Sequence, residues 1–428
     1  MTPEIKQRID KICHGEVPEG YQRTFLGIAP KSWDKSRIDK ICRLSSGSTP
    51  RRDAVENFAG DILWVTSGEL KRRTIEDTRE KISETAVVNS HLEIYDPGTV
   101  VIAIYGLEAA GIRGTVSIIG KQCTISQACM AFTEFKGIDN EFFYYWYLNN
   151  GQVIGLRYAQ GTKQQNLSTD IVGSFPICFP SQGEQQKIAA ILTTQDRVIE
   201  LKEKRLAGKQ RQKKYLMQQL LTGKKRLPGF SGAWKNIKLC EVLSERKEKN
   251  IEQNLRICSV AVQKGVIDQI EHLGRSYAAS DTSNYSVAHY GDIIYTKSPT
   301  GDFLYGIVKQ NLLQETVAVS PLYGVFTPMT FGLGYFLHTY FQSAICAQNY
   351  LLPIVQKGAK NTINITNDTF ISSKLYLPLD VEEQKAIADT FIAADREIDL
   401  LRQDIEQEKQ KKKALMQLLL TGIVRVKT

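Results

Sequence analysis

A chain of 428 residues exceeds one ordinary hydrophobic core, so two or more domains are expected. The 42% hydrophobic and 24% charged content is that of a globular protein, and no stretch nears the ~18 uninterrupted apolar residues of a membrane span. With a polar start, Met1-Thr2-Pro3-Glu4-Ile5-Lys6, this argues against membrane and secreted classes and for a cytoplasmic protein, while the net charge of +9 invites a nucleic-acid partner.

In chain order, an N-terminal extension over 1–30 precedes a first domain whose landmarks are Trp33, Ile38, Leu44 and Ser45. An apolar run, Ile62–Val65, leads to a turn at Ser67-Gly68. Short strands are predicted at Val100–Tyr105 and Gly114–Ile119, bounded by turns such as Asp96-Pro97-Gly98. The aromatic-rich stretch Phe142–Leu148 reads as helix. A polar loop, Gly161-Thr162-Lys163-Gln164-Gln165-Asn166-Leu167, closes the domain before Pro180. The second half runs through the same series: Trp234, Ile237, Leu243 and Ser244, strands at Asp292–Thr296 and Gly306–Val308 around Ser298-Pro299-Thr300-Gly301, and an aromatic helix over Tyr335–Phe341. Its loop is Gly358-Ala359-Lys360-Asn361-Thr362-Ile363-Asn364-Ile365.

Glu184–Leu227 lies over Glu383–Val426 without a gap at an offset of 199, with 18 of 44 positions identical. Both copies carry apolar residues at helical spacing. The first has Ile188, Leu192, Ile199, Leu206, Leu216 and Leu220; the second has Ile387, Phe391, Ile398, Leu401, Ile405, Leu415 and Leu419. Neither contains proline, and each closes on Thr-Gly, where glycine takes a left-handed cap. Such a helix is a rod of roughly 55–60 Å, whose stripe needs a partner helix. The other copy is the candidate, in an antiparallel coiled coil with pseudo-two-fold symmetry. Gln195, Lys202, Lys209 and Lys213 interrupt the stripe, so a strict heptad is not expected. The predicted class is α+β: two mixed α/β domains, 1–183 and 228–382, separated and joined by helices 184–227 and 383–428.

Charge is unevenly placed. Residues 1–183 and 228–382 are each neutral, as is the second helix, whereas the first helix carries twelve basic against four acidic side chains. Neither globular half is therefore a uniformly basic phosphate binder, and any DNA contact must use local clusters or stand beside a partner that supplies much of the phosphate grip. The candidates are Arg51, Arg52, Lys71, Arg72, Arg73 and Lys121 with the loop residues Lys163, Gln164, Gln165 and Asn166. In the second half they are Arg246, Lys247, Lys297, Lys357, Lys360 and Asn361. Arginine can read guanine edges bidentately, lysine holds phosphates, and Gln or Asn suits adenine. A solvated surface loop is the plainer alternative for each. The basic helix is expected to face an acidic partner, DNA or solvent.

Catalytic patterns are missing. No phosphate-binding loop occurs, since Gly223-Lys224-Lys225 lacks the first glycine, and no Asn/Asp-Pro-Pro-aromatic tetrapeptide occurs. The five histidines are scattered, and the eight cysteines form no Cys-x-x-Cys pair, so no metal ligand set is expected and the thiols are expected to be buried and reduced.

Glu-Gln followed by Ile-Ala opens both helices, Leu-Met-Gln-x-Leu-Leu-Thr-Gly closes both, and Gly161–Leu167 precedes the first. With Val17-Pro18-Glu19-Gly20-Tyr21 near the start, the chain resembles the specificity subunits of type I restriction–modification systems over nearly its whole length. The second loop departs from that pattern at Ala359 and Thr362-Ile363. The resemblance implies two target-recognition domains, each reading half of a split site in double-stranded DNA. It implies helices that set the spacing and dock two modification (methyltransferase) subunits, and a separate restriction/translocase subunit that cuts. Adenine methylation, S-adenosylmethionine, ATP and Mg would belong to those partners, and this chain would be non-catalytic. Two readers on one face of B-DNA stand roughly 34–36 Å apart, a separation such a rod can hold. The competing reading is a duplicated coiled-coil scaffold for protein interactions.

Overall fold

Each repeated segment forms one uninterrupted helix, Gln182–Leu220 of 39 residues and Val381–Leu420 of 40. These begin two residues before the predicted openings, which places Glu184 and Glu383 in the first turn, where the helix dipole favours an acid. Both stop at the predicted glycine: Gly223 and Gly422 take φ of +68° and +69°. The reversal carries the Lys225 N–H to Gln219 O at 3.1 Å and the Val424 N–H to Leu418 O at 3.0 Å. A Cβ on Gly422 would sit 2.5 Å from Pro30 Cγ and 2.9 Å from Trp33 Cζ2, whereas on Gly223 the nearest atom is 3.2 Å away. Gly422→Ala therefore adds a clash to the ~1–3 kcal/mol cost of a left-handed non-glycine. It should lower the melting temperature more than Gly223→Ala; equal shifts would show that the Pro30 contact yields freely.

In this computed structural model, residues 2–104, 115–157, 167–275, 281–357 and 363–427 are described. Packing divides the chain into two units, Met1–Lys202 with Asp404–Thr428, and Glu203–Gln403. Each unit thus holds one globular half, the opening part of one long helix and the closing part of the other.

The first unit has a five-stranded sheet in the order Arg43–Ser46, Cys129–Thr133, Val100–Ala103, Val116–Ile119, Thr74–Ile75. A three-stranded sheet, Cys123–Ile125, Ile62–Val65, Lys81–Ile82, accompanies it. The second unit repeats the plan with four strands, Leu243–Glu245, Gly324–Pro328, Ile293–Tyr295, Val308–Gln310, and with Gly265–Asp268, Arg256–Ala261, Val317–Val319, Ser286–Ala288. The inner strands, such as Val100–Ala103, Ile293–Tyr295 and Val317–Val319, are buried and rich in Val and Ile, as strands covered on both faces require. The predicted strand at Gly306–Val308 begins at Val308 instead. Gly306 has φ of +94° and packs so closely that a Cβ would meet Lys297 N at 2.8 Å, so it belongs to the turn.

The aromatic stretches are helical, Asn140–Arg157 and Phe331–Tyr340, and each lies against the opening of a long helix. The first core joins Phe142, Phe143 and Tyr145 to Ile188 and Leu192, and to Met416, Leu419 and Leu420 from the other helix's end. The second joins Tyr335 and Phe336 to Ile387 and Phe391, and to Leu220 and Leu221. Just before each long helix a strand pairs antiparallel with the one after the landmark tryptophan: Pro176–Phe179 with Asp34–Arg37, and Lys374–Leu377 with Lys235–Lys238.

Cys42, Cys123, Cys129 and Cys258 are buried, and burial pushes the Cys42, Cys123 and Cys129 thiols up to about 12. The expectation of uniformly buried thiols needs correcting, because Cys13 and Cys240 are exposed on helical turns. Among the described residues no helix is long and apolar enough to cross a membrane, and no cluster of His, Cys, Asp or Glu is placed to hold a metal.

Candidate nucleic-acid interface and helix seam

Within each unit the two long helices run antiparallel. Ile188, Leu192, Ile199 and Leu220 are buried on one, and Ile387, Phe391, Ile398, Leu401, Ile405 and Leu419 on the other, while Leu206, Leu216 and Leu415 are half-buried. Met416 is a buried member that the three-four count passed over. The polar interruptions are matched across the pair. Gln195 donates to Glu408 at 2.6 Å, and Lys202 bonds Asp404 and Glu408, each at 2.8 Å. In the second unit Lys209 pairs with Glu397 at 2.8 Å, and Lys213 pairs with Asp395 and with Gln342. The Lys202 hydrogen bond, with Gln195 second, holds the Glu408 carboxyl down at about 2. Part of the basic excess of the first helix is therefore answered by acids of the second.

Positions identical in the two repeats meet one another. Arg425 grips Glu184 through two hydrogen bonds of 2.8 and 2.7 Å, and the counterparts 199 residues away, Arg226 and Glu383, do the same. Glu184 and Glu383 are 2% and 1% exposed, so these are buried carboxylates held by a planar fork. The guanidiniums also lie over Trp33 and Trp234, 6.0 and 5.4 Å from the rings. Asp196 accepts from the Tyr145 hydroxyl at 2.7 Å and pairs with Lys412 at 2.6 Å; Asp395 repeats this with Tyr335 at 3.0 Å and with Lys213. Gln185 donates to Pro180 O and accepts the N–H of Asp139, the cap of the aromatic helix. Gln384 donates to Pro378 O and accepts from Thr330, the cap of the other. Glu184, Gln185, Asp196, Lys213 and Arg226 are each identical to the residue 199 positions on, and that identity is the sequence signal for these contacts.

The candidate DNA contacts are scattered. Lys71 and Arg72 are exposed on the segment leading into the strand Thr74–Ile75. Arg73 turns inward, pairing with Glu141 and lying 3.8 Å from Asp196, which takes it out of any free basic triplet. Because Thr74–Ile75 runs parallel to Val116–Ile119, Lys121 emerges at the opposite end of that pair from Lys71 and Arg72. Arg51 is exposed and paired with Asp53 at 2.7 Å, and Arg52 is paired with Glu80 and stacked over Phe58. In the second unit Arg246 is bound to the buried Asp292 at 2.6 Å, next to exposed Lys247. Lys297, half-buried at φ +58°, has its pKa lowered by desolvation. Lys357 ends a two-residue strand paired with Ile363–Asn364. Lys163, Gln164, Gln165, Asn166, Lys360 and Asn361 lie outside the described residues. The residues that follow the two loops, Leu167 and Ile365, are buried anchors at 2% and 4% exposure.

A family model described as the type I restriction modification DNA specificity domain matches residues 30–208 and again 233–410. The MjaVIII specificity subunit of Methanocaldococcus jannaschii is 22% identical over 429 residues, covering 93% of this chain and 94% of that one. The MjaIX specificity subunit of the same organism is 30% identical over 188 residues, 43% of this chain and less than half, 42%, of that relative. The EcoR124I/EcoR124II specificity subunit of Escherichia coli is 24% identical over 175 residues, 40% of this chain and 43% of its own. The fold is like that of a type I restriction–modification S subunit from M. genitalium, with a TM-score of 0.57 at 12% identity over 90% of this chain and 96% of that one. A chain solved in a study of assembly and conformational transition of the type I system gives 0.52 at 15% identity, covering 92% and 99%.

Proposed function

Because the chain belongs to the type I restriction–modification DNA specificity family, we propose that its two globular halves each read one half of a bipartite site in double-stranded DNA. The two long helices fix the gap between the half-sites and dock two methyltransferase subunits. The observation that carries this reading is the contrast inside the duplication. Four of the residues that pair the helices, Glu184, Asp196, Lys213 and Arg226, are identical to their counterparts Glu383, Asp395, Lys412 and Arg425 and make the same contacts, whereas the basic side chains on the two globular surfaces differ. A frame kept twice with two different faces is what independent reading of two half-sites requires.

Exposed Lys71, Arg72, Lys121 and Lys247 supply phosphate contacts. Since both halves are neutral, the remaining grip on the duplex comes from the partners. Those partners carry the chemistry: adenine methylation with S-adenosylmethionine on the modification subunits, ATP- and Mg-dependent translocation and cleavage on the restriction subunit. Exchanging residues 228–382 for the matching segment of a family member of different specificity tests the reading. Sequencing of methylated DNA should show one half of the site changed and the other retained, and a change in both halves, or in neither, would contradict it.

A further inference from the structure

The two units share a sheet order but differ at one edge. In the first, the strand Thr74–Ile75 covers Val116–Ile119, and Arg73 fills the space beside Asp196 while bound to Glu141. In the second, among the described residues no strand pairs with the far side of Val308–Gln310, which is the outer strand of its sheet. A cavity of about 870 Å³ opens there, within the ~300–1,000 Å³ usual for small-molecule sites.

Lys309 lines this cavity and is only 5% exposed. By strand register it stands where the first unit has Ser117, opposite Ile294 as Ser117 is opposite Val101. Among the described residues no carboxylate or hydrogen-bond acceptor meets its ammonium. The nearby Asp395 is committed to Lys213 and to the Tyr335 hydroxyl. Burial, with the neighbouring charge of Lys213, draws Lys309 down to about 8, and the pull of Asp395 offsets only part of this. Lys214, Lys224 and Lys264 line the same cavity with no ion pair among the described residues, while its other acid, Asp399, is answered by Arg402 at 3.0 Å. The lining also includes the apolar side chains of Val262, Val266 and Leu313.

We propose that this cavity binds a small solute bearing a di- or triphosphate, its charge on Lys309, Lys214, Lys224 and Lys264 and its uncharged part against Val262, Val266 and Leu313. Ammonium groups are strong phosphate partners, and four of them beside acids already committed to Lys213 and Arg402 make an anion the ligand that completes the site. Such a ligand is distinct from the DNA target, and the proposal does not depend on the bipartite reading.

Calorimetric titration of the full chain with inorganic tripolyphosphate and with ATP tests it, with Lys309→Met as the variant and Lys374→Ala as the control for loss of one surface charge. Binding to the parent chain and the control, weakened at least tenfold by Lys309→Met, is expected. That variant should melt no lower than the parent without ligand, because an unpaired buried charge has been removed. Should it fail to fold, Lys264→Glu at the exposed mouth is expected to weaken binding by a similar factor. No binding to the parent, or equal binding to both, would overturn the proposal. So would a loss seen only with duplex DNA, which would make Lys309 part of the DNA-contacting surface.

Discussion

Phe391→Asp should destabilise the second unit by at least 3–5 kcal/mol. Phe391 is fully buried in the core that joins the second long helix to Tyr335, Phe336 and the closing turn of the first helix. Truncating a buried Phe alone costs ~3–5 kcal/mol, and an unpaired carboxylate in the same place adds its desolvation. The counterpart Leu192 is equally buried in the first unit, so Leu192→Asp should act there in the same way. Hydrogen exchange resolves the two cases, since protection should collapse over the mutated unit first. Near-parental protection in both variants would mean that these positions are not core.

Arg226→Met is the second large effect, at ~3–5 kcal/mol, because it strands the carboxylate of Glu383. Glu383 is 1% exposed, and its remaining side-chain donor would be the Trp234 Nε1–H at 3.1 Å. Arg425→Met should cost less. Its guanidinium is 42% exposed against 24% for Arg226, and Glu184 keeps a backbone donor in the Val426 N–H at 3.2 Å. Urea unfolding of the two variants gives the comparison. A loss below ~1 kcal/mol for Arg226→Met would place the pair among solvent-screened surface bridges.

The sequence revealed what repeats and periodicity can encode: the helix extents, the buried stripe, the glycine caps and the aromatic helices beside them. It did not reveal which charges were free. Arg73 read as one third of a surface triplet, yet the side chain reaches Glu141, 68 residues away, through a fold that no local pattern specifies. Arg246 likewise neighbours Lys247 in sequence but is bound to buried Asp292. Gln195, Lys202, Lys209 and Lys213 looked like faults in a seam, and only the antiparallel register shows the acid opposite each lysine. Lys309 gave no signal at all, since a single lysine between Val308 and Gln310 reads as an ordinary outward strand position.

The repeat contacts make the two units equivalent as frames, while Lys309, Arg73 and the edge strand Thr74–Ile75 make the two sheet edges unlike. The proposed bipartite recognition is open to one direct measurement. Methylated adenines can be mapped across the genome of cells producing this chain together with its methyltransferase subunits. The account predicts one motif of two specified blocks separated by a fixed, unspecified gap. A single uninterrupted motif, or a gap that varies from site to site, would contradict it.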